Sequence, residues 1–182
     1  MSGLFQQLAT PAGKVFIGVL AAGEHLPWIL ESLSAAAGKP VTEADLVRTA
    51  SGRPEFPGAG FDANWSHSRS VCALAYSFDC RVGVDIEFRR PRSLNIAERF
   101  YAPEESEWLF HSGRFPDDAA KLREFYRLWC RKEACFKCAG GEFIGGTLSA
   151  DLRGGCAGGV HLLDLILPAF ENFSACLAVM PM

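Results

Sequence analysis

The 182-residue chain is 49% hydrophobic and 21% charged, the proportions of an ordinary globular protein rather than of a disordered one. Its net charge of −3 argues against a general nucleic-acid binder. No apolar run approaches the roughly 20 residues of a membrane span, and the N-terminus lacks the regions of a signal peptide. Seven cysteines, odd in number and without framework spacing, favour reduced thiols and a cytoplasmic setting.

In chain order, residues 14–20 read as a short strand, and His25–Ala37 as a helix stopped by Gly38 with Pro40 just beyond. The stretch SGRPEFPGAGFDANWSHS (51–68), with three Gly and two Pro among Ser, Asn and Asp, predicts loop. Two strand-like runs, 71–77 and 82–88, flank FDCR and predict a hairpin. A charged break around Pro91 is the best internal boundary and divides the chain into halves, 1–91 and 92–182. Residues 93–100 read as a short helix. A second helix begins at Pro103, where Glu104, Glu105 and Glu107 suit its positive end. Asp117 or Asp118 caps a third, longer helix that runs to Gly140 and Gly141. Strands over 161–167 and 173–179 follow, so helices and hairpins occur in both halves, an α+β pattern. Between Arg89 and Lys137 lie 11 of the 18 basic residues against 8 acidic ones. Such a surplus could meet an acidic partner, or could simply be solvated helix faces.

Within RVGVDIEFRRP (81–91), Val82, Val84, Ile86 and Phe88 alternate with Gly83, Asp85 and Glu87. As a strand this sets two carboxylates on one face, roughly 6.6 Å apart. Charges so close repel unless a cation lies between them. On the long helix, Leu122, Phe125, Tyr126, Trp129 and Phe136 form an apolar stripe at helical spacing, and Glu133 falls inside it. A carboxylate facing a core is costly unless paired or bound to a cation, and Lys137, one turn on, could pair with it. Asp85, Glu87 and Glu133 would also make an oxygen-rich site for a hard divalent cation that meets a substrate phosphate. Acids at i, i+2 are common on exposed strands, and a Glu133–Lys137 ion pair would explain the helix equally well. The pattern alone leaves both readings open. Cys135 and Cys138 form a C-x-x-C without a second pair to complete a zinc site, and read as helix residues. The glycines of 140–159 show no phosphate-loop order.

VGVDIE (82–87) followed by WCRKEACFK (129–137) resembles the two-part signature of 4′-phosphopantetheinyl transferases of the larger, Sfp-like (surfactin-type) branch. SGRP (51–54), NWSHS (64–68) and RPRSLNIAERFYAPEE (90–105) are similar to that branch's other motifs, in the same order. The resemblance implies an α+β fold of two similar halves related by an approximate twofold, with the active site between them, in a monomer. It implies transfer of the phosphopantetheine arm of coenzyme A to a serine of an acyl or peptidyl carrier protein, with Mg²⁺, releasing adenosine 3′,5′-bisphosphate. Asp85, Glu87 and Glu133 then match the Mg²⁺ ligands, and Glu105 matches a proposed general base. Lys132 and Lys137 match basic positions near the phosphates, and Arg53, Ser66 and His67 match positions that hold the 3′-phosphate. Trp65 is expected to pack, and Asn64 to tie its loop to the following strand. The helix His25–Ala37 contains no arginine, where the resemblance would place phosphate-binding ones, so no binding residue is carried over before Ser51. Two other classes stay open: a degenerate homologue that binds carrier protein or coenzyme A without turnover, and an unrelated metal-dependent phosphohydrolase.

Overall fold

The computed structural model describes residues 5–141 and 150–182. Strands β1 (Phe5–Thr10), β2 (Gly13–Leu20), β5 (Asp62–Ser68) and β6 (Val71–Ser77) form one antiparallel sheet in the order β1-β2-β6-β5. Strands β7 (Cys80–Phe88), β8 (Cys156–Ala157), β9 (Val160–Asp164) and β10 (Phe173–Pro181) form a second, ordered β7-β10-β9-β8. The short β3 (Val47–Arg48) and β4 (Pro54–Glu55) pair with each other. A mixed α/β architecture is thus as the sequence predicts.

Alternation along the strands divides the core into layers. Val15, Ile17, Ala73, Ala75, Val82, Val84, Ile86, Leu177 and Val179 meet between the two sheets. The opposite face of β6, through Cys72, Leu74 and Tyr76, receives the helix α1 (His25–Ala37) by Trp28, Ile29 and Leu33. Each fully buried Val, Leu or Ile among these contributes about 1.5–3 kcal/mol by leaving water. Gly38 ends α1 at φ 64°, a conformation glycine adopts without strain. The short α2 (Ile96–Phe100) and α3 (Pro103–His111) lead into α4 (Asp118–Cys138), a segment free of Gly and Pro. Asp117 caps α4 by accepting the Ala120 N–H at 2.6 Å.

α4 lies on the outer face of the second sheet, through Cys130, Ala134, Cys135 and Cys138 against Leu162, Cys176 and Ala178. Desolvation raises the Cys135 and Cys138 thiols to about 12, so both pack as neutral groups. Gly83 permits the close approach: a Cβ there would stand 2.2 Å from the Ala134 carbonyl and 2.4 Å from the Cys138 nitrogen. Gly83→Ala is therefore expected to push α4 off β7 and cost about 1–3 kcal/mol or more. An unchanged melting temperature in that variant would contradict this packing.

Four expectations change. Residues 62–68 form strand β5, not loop: Asp62, Asn64, Ser66 and Ser68 alternate with Ala63, Trp65 and His67, a period of two hidden by loop-like composition. The runs 71–77 and 80–88 are strands but not a hairpin. β6 pairs with β2 and β5, β7 pairs with β10, and the chain changes sheets at Phe78–Asp79. The predicted stripe of α4 holds through Leu122, Phe125, Tyr126 and Trp129 but not at Phe136, which is 40% exposed while Ala134, Cys135 and Cys138 are 0% exposed. β1 went unread, because FQQLAT has only three apolar residues to mark it.

Candidate active site

Among the described residues β7 has a backbone partner on one side only, β10. On its other side, side chains of β5 replace a strand's carbonyls. Asp62 Oδ2 accepts the Val82 N–H at 2.7 Å, Asn64 Oδ1 that of Val84 at 3.0 Å, and Ser68 Oγ that of Phe88 at 3.0 Å. Asn64 thus reaches β7 rather than β6, the strand that follows it. The remaining polar residue of this row, Ser66, donates to Asp85 Oδ1 at 2.8 Å. Side chains occupy the space between two strands, and the acids of β7 lie where the sheets part.

The cation beside these acids is Lys137. Its Nζ stands 2.6 Å from Asp85 Oδ1 and 3.1 Å from Ser66 Oγ. The predicted Glu133–Lys137 pair gives way to this contact, since Lys137 projects from the last turn of α4 toward β7. Ser68 donates to Glu87 Oε2 at 3.0 Å. Burial, and then the charge of Asp85, push the Glu87 carboxyl above its ordinary value, against Ser68, Lys137 and Arg92. Glu133 is raised likewise by burial, then by Asp85, against Lys137. Asp85 is 3% exposed, and its Oδ2 is buried with no hydrogen-bond partner among the described residues.

Asp85, Glu87, Glu133, Lys137 and Ser66 are therefore neighbours. Three carboxylates face one ammonium, an excess of negative charge in a half-buried place. Among the described residues no three carboxylate, imidazole or thiol groups converge as a ready-made metal centre. The orphaned Asp85 Oδ2 and the two raised glutamates nonetheless fit the demand of a hard cation for oxygen donors.

A cavity of about 220 Å³ opens beside them, lined by Ser51, Arg53, Asn64, Trp65, Phe136 and Lys137 among others. Arg53 is 5% exposed and is held by Asp62 Oδ2 at 2.5 Å and the Lys137 carbonyl at 3.0 Å. Its Nε is buried and unpartnered among the described residues. Trp65 packs into the α1 core with one face toward the cavity, and Arg48 stands 5.9 Å from its ring centroid.

Two groups of expected site residues lie apart from this cluster. His67 points to the other face of β5, exposed, with its ring 5.3 Å from that of His25. It lies between Ser66 and Ser68, whose side chains reach Asp85 and Glu87, so it is set apart from the cluster by the face of the strand and not by distance along it. Glu105 is 0% exposed. Its Oε1 accepts the Leu152 N–H at 2.8 Å and its Oε2 the Ala102 N–H at 2.9 Å, and Lys132 Nζ lies 2.7 Å from Oε2. Lys132, 3% exposed, also donates to the Ala150 carbonyl at 3.0 Å. This pair pins the start of α3 to α4 and to the segment at Leu152.

Residues 81–163 match the family described as ACPS, the 4′-phosphopantetheinyl transferase superfamily. That segment carries Asp85, Glu87, Glu105, Lys132, Glu133 and Lys137. The 4′-phosphopantetheinyl transferase HetI of Nostoc sp. is 36% identical over 87 residues, 47% of this chain and 35% of its own. AcpT of Salmonella typhimurium, of the same name, is 31% identical over 135 residues, 72% of this chain and 61% of its own. The 4′-phosphopantetheinyl transferase Sfp of Bacillus subtilis is 35% identical over 88 residues, 48% of this chain and 36% of its own. The chain thus spans between about a third and three-fifths of these relatives.

Proposed function

We propose that this chain is an Sfp-like 4′-phosphopantetheinyl transferase, moving the phosphopantetheine arm of coenzyme A to a serine of an acyl or peptidyl carrier protein. The observation that carries the reading is the buried Asp85, one oxygen on Lys137 and the other unpartnered among the described residues, close to Glu87 and Glu133 inside the matched segment. In the reaction the serine oxygen bonds to the β-phosphorus and loses its proton. The bond from that phosphorus to the bridging oxygen breaks, and adenosine 3′,5′-bisphosphate leaves. Asp85, Glu87 and Glu133 would hold Mg²⁺, which when bound neutralises charge on the pyrophosphate oxygens. Lys137 supplies a fixed positive charge at the same place. Glu105 was expected as the general base. Its buried hydrogen bonds favour a positioning role, holding Lys132 and through it α4.

The cavity beside Lys137 would take the coenzyme, with Arg53 and Lys137 supplying positive charge, Trp65 and Phe136 as apolar walls, and Ser66 next to it bonded to Asp85 and Lys137. His67 would meet the 3′-phosphate on the other side of β5. A charge-assisted hydrogen bond of about 1.5–3 kcal/mol corresponds to roughly 10- to 150-fold in binding. His67→Ala is expected to weaken coenzyme A by that factor and leave 3′-dephospho-coenzyme A nearly unchanged. Equal losses for both would remove His67 from the site. The proposal includes two similar halves, 1–91 and 92–182, related by an approximate twofold; each four-stranded sheet carries a long helix, α1 or α4, and β7 of the first half joins the second sheet. A cytoplasmic monomer that binds neither nucleic acid nor membrane accords with this reading. No helix of the described residues is long and apolar enough to cross a membrane. Turnover is tested by release of adenosine 3′,5′-bisphosphate from coenzyme A, which should require an apo carrier protein. Binding without release would favour the non-catalytic homologue, and release of free phosphate a phosphohydrolase.

A further inference from the structure

Along α4, Arg123, Arg127 and Arg131 recur every fourth residue, a ladder of guanidinium groups in which Arg123 lies roughly 21 Å along the axis from Lys137. Two of them are matched by acids. Arg131 pairs with Asp164 at 2.7 Å. Arg127 grips Glu124 through contacts of 2.6 and 2.7 Å, and Glu124 also accepts the Trp108 Nε1–H at 2.9 Å. Arg123 has no carboxylate partner among the described residues. Across from it stands Arg89, whose side-chain bonds among the described residues run to neutral acceptors: the Phe173 carbonyl at 2.7 Å, Ser174 Oγ at 3.3 Å and the Glu171 carbonyl. Three of its five donors are thereby engaged, fixing its fork and leaving two free. Arg89 and Arg123 line the same groove, and burial, then the charge of Arg123, lower the pKa of Arg89.

Both arginines line a groove of about 330 Å³ whose apolar walls include Phe115, Leu165 and Phe173; Glu124 and Asp164 line it too, with Arg127 bonded to both. That is the size of a small-molecule site rather than of a macromolecular interface. We propose that this groove binds a phosphoryl dianion, as inorganic phosphate or a phosphomonoester, between Arg89 and Arg123. The planar forks of two arginines suit a phosphate's oxygens, and the apolar walls would take the body of an ester. The proposal is independent of the transferase reading, because the groove shares no residue with the carboxylate cluster.

Thermal unfolding and titration calorimetry, with sodium phosphate or glycerol phosphate against chloride of equal ionic strength, test it. At ten times the dissociation constant the midpoint should rise by about 3–6 °C. Arg123 is exposed, so Arg123→Gln should fold normally and lose most of that rise, while Lys137→Gln should keep it. A response to glycerol phosphate alone would assign the groove to esters, and a response to both to the bare phosphoryl group. The proposal is overturned by a wild-type protein without a phosphate-specific shift, or by an Arg123→Gln variant that responds like it. It is equally overturned if Lys137→Gln abolishes the response, which would place the anion in the carboxylate cleft.

Discussion

Glu105→Gln should unfold at a temperature about 6–20 °C lower than the wild-type chain. The carboxylate is fully buried and accepts from two main-chain N–H groups while pairing with a buried ammonium. A glutamine would turn an NH₂ group toward one of those donors and take away the carboxylate that Lys132 Nζ contacts at 2.7 Å. Breaking such a pair from one side costs about 3–5 kcal/mol, and a chain of this length loses about 2–4 °C for each. Combining Glu105→Gln with Lys132→Met should recover part of the loss, since removing both charges is far cheaper than removing one. A general base predicts the opposite pair of results: an unchanged melting temperature and a lost activity.

Glu133→Gln is expected to behave in the reverse way. Removing one of three carboxylates that face the phosphates should lower turnover on the order of 10²–10³-fold, while the chain without metal keeps or gains stability. The pH dependence gives the sign. Glu87 and Glu133 hold their protons more tightly in the fold than the ordinary value of 4.5, so the native state binds more protons than the unfolded one. Stability of the metal-free protein should therefore fall as pH rises from about 4.5 through these raised values. Glu133→Gln should flatten that decline, and Mg²⁺ should oppose it. A wild-type protein whose metal-free stability climbs over the same window would contradict the crowding of acids around Asp85.

Strands and helices marked by strong periodicity were legible in the sequence. The alternation of β7, the capped start of α4 and the glycine stop of α1 all fall where local signals put them. What eluded sequence reasoning was long-range. β6 and β7 are joined by a two-residue turn yet enter different sheets, because the edge of β7 is closed by side chains of β5 rather than by a backbone. That row of Asp62, Asn64, Ser66 and Ser68 was visible as a period of two, but its glycine-rich prelude disguised it. The same topology decides the site. Asp85, Glu87, Glu133 and Lys137 were singled out by residue type and spacing. Which acid Lys137 would choose depends on how closely α4 lies on β7, and so on Gly83. Glu105 and Lys132 were read from a motif alone, which carries no information about burial.

The central claim is a covalent transfer, so the mass of the acceptor is its most direct test. Apo carrier protein incubated with this chain, coenzyme A and Mg²⁺ should gain the mass of one phosphopantetheine group on its serine. The gain should depend on Mg²⁺ and be lost in Asp85→Ala. A carrier whose mass stays unchanged across a panel of acyl and peptidyl carriers, with a folded protein that still binds coenzyme A, would contradict the assignment.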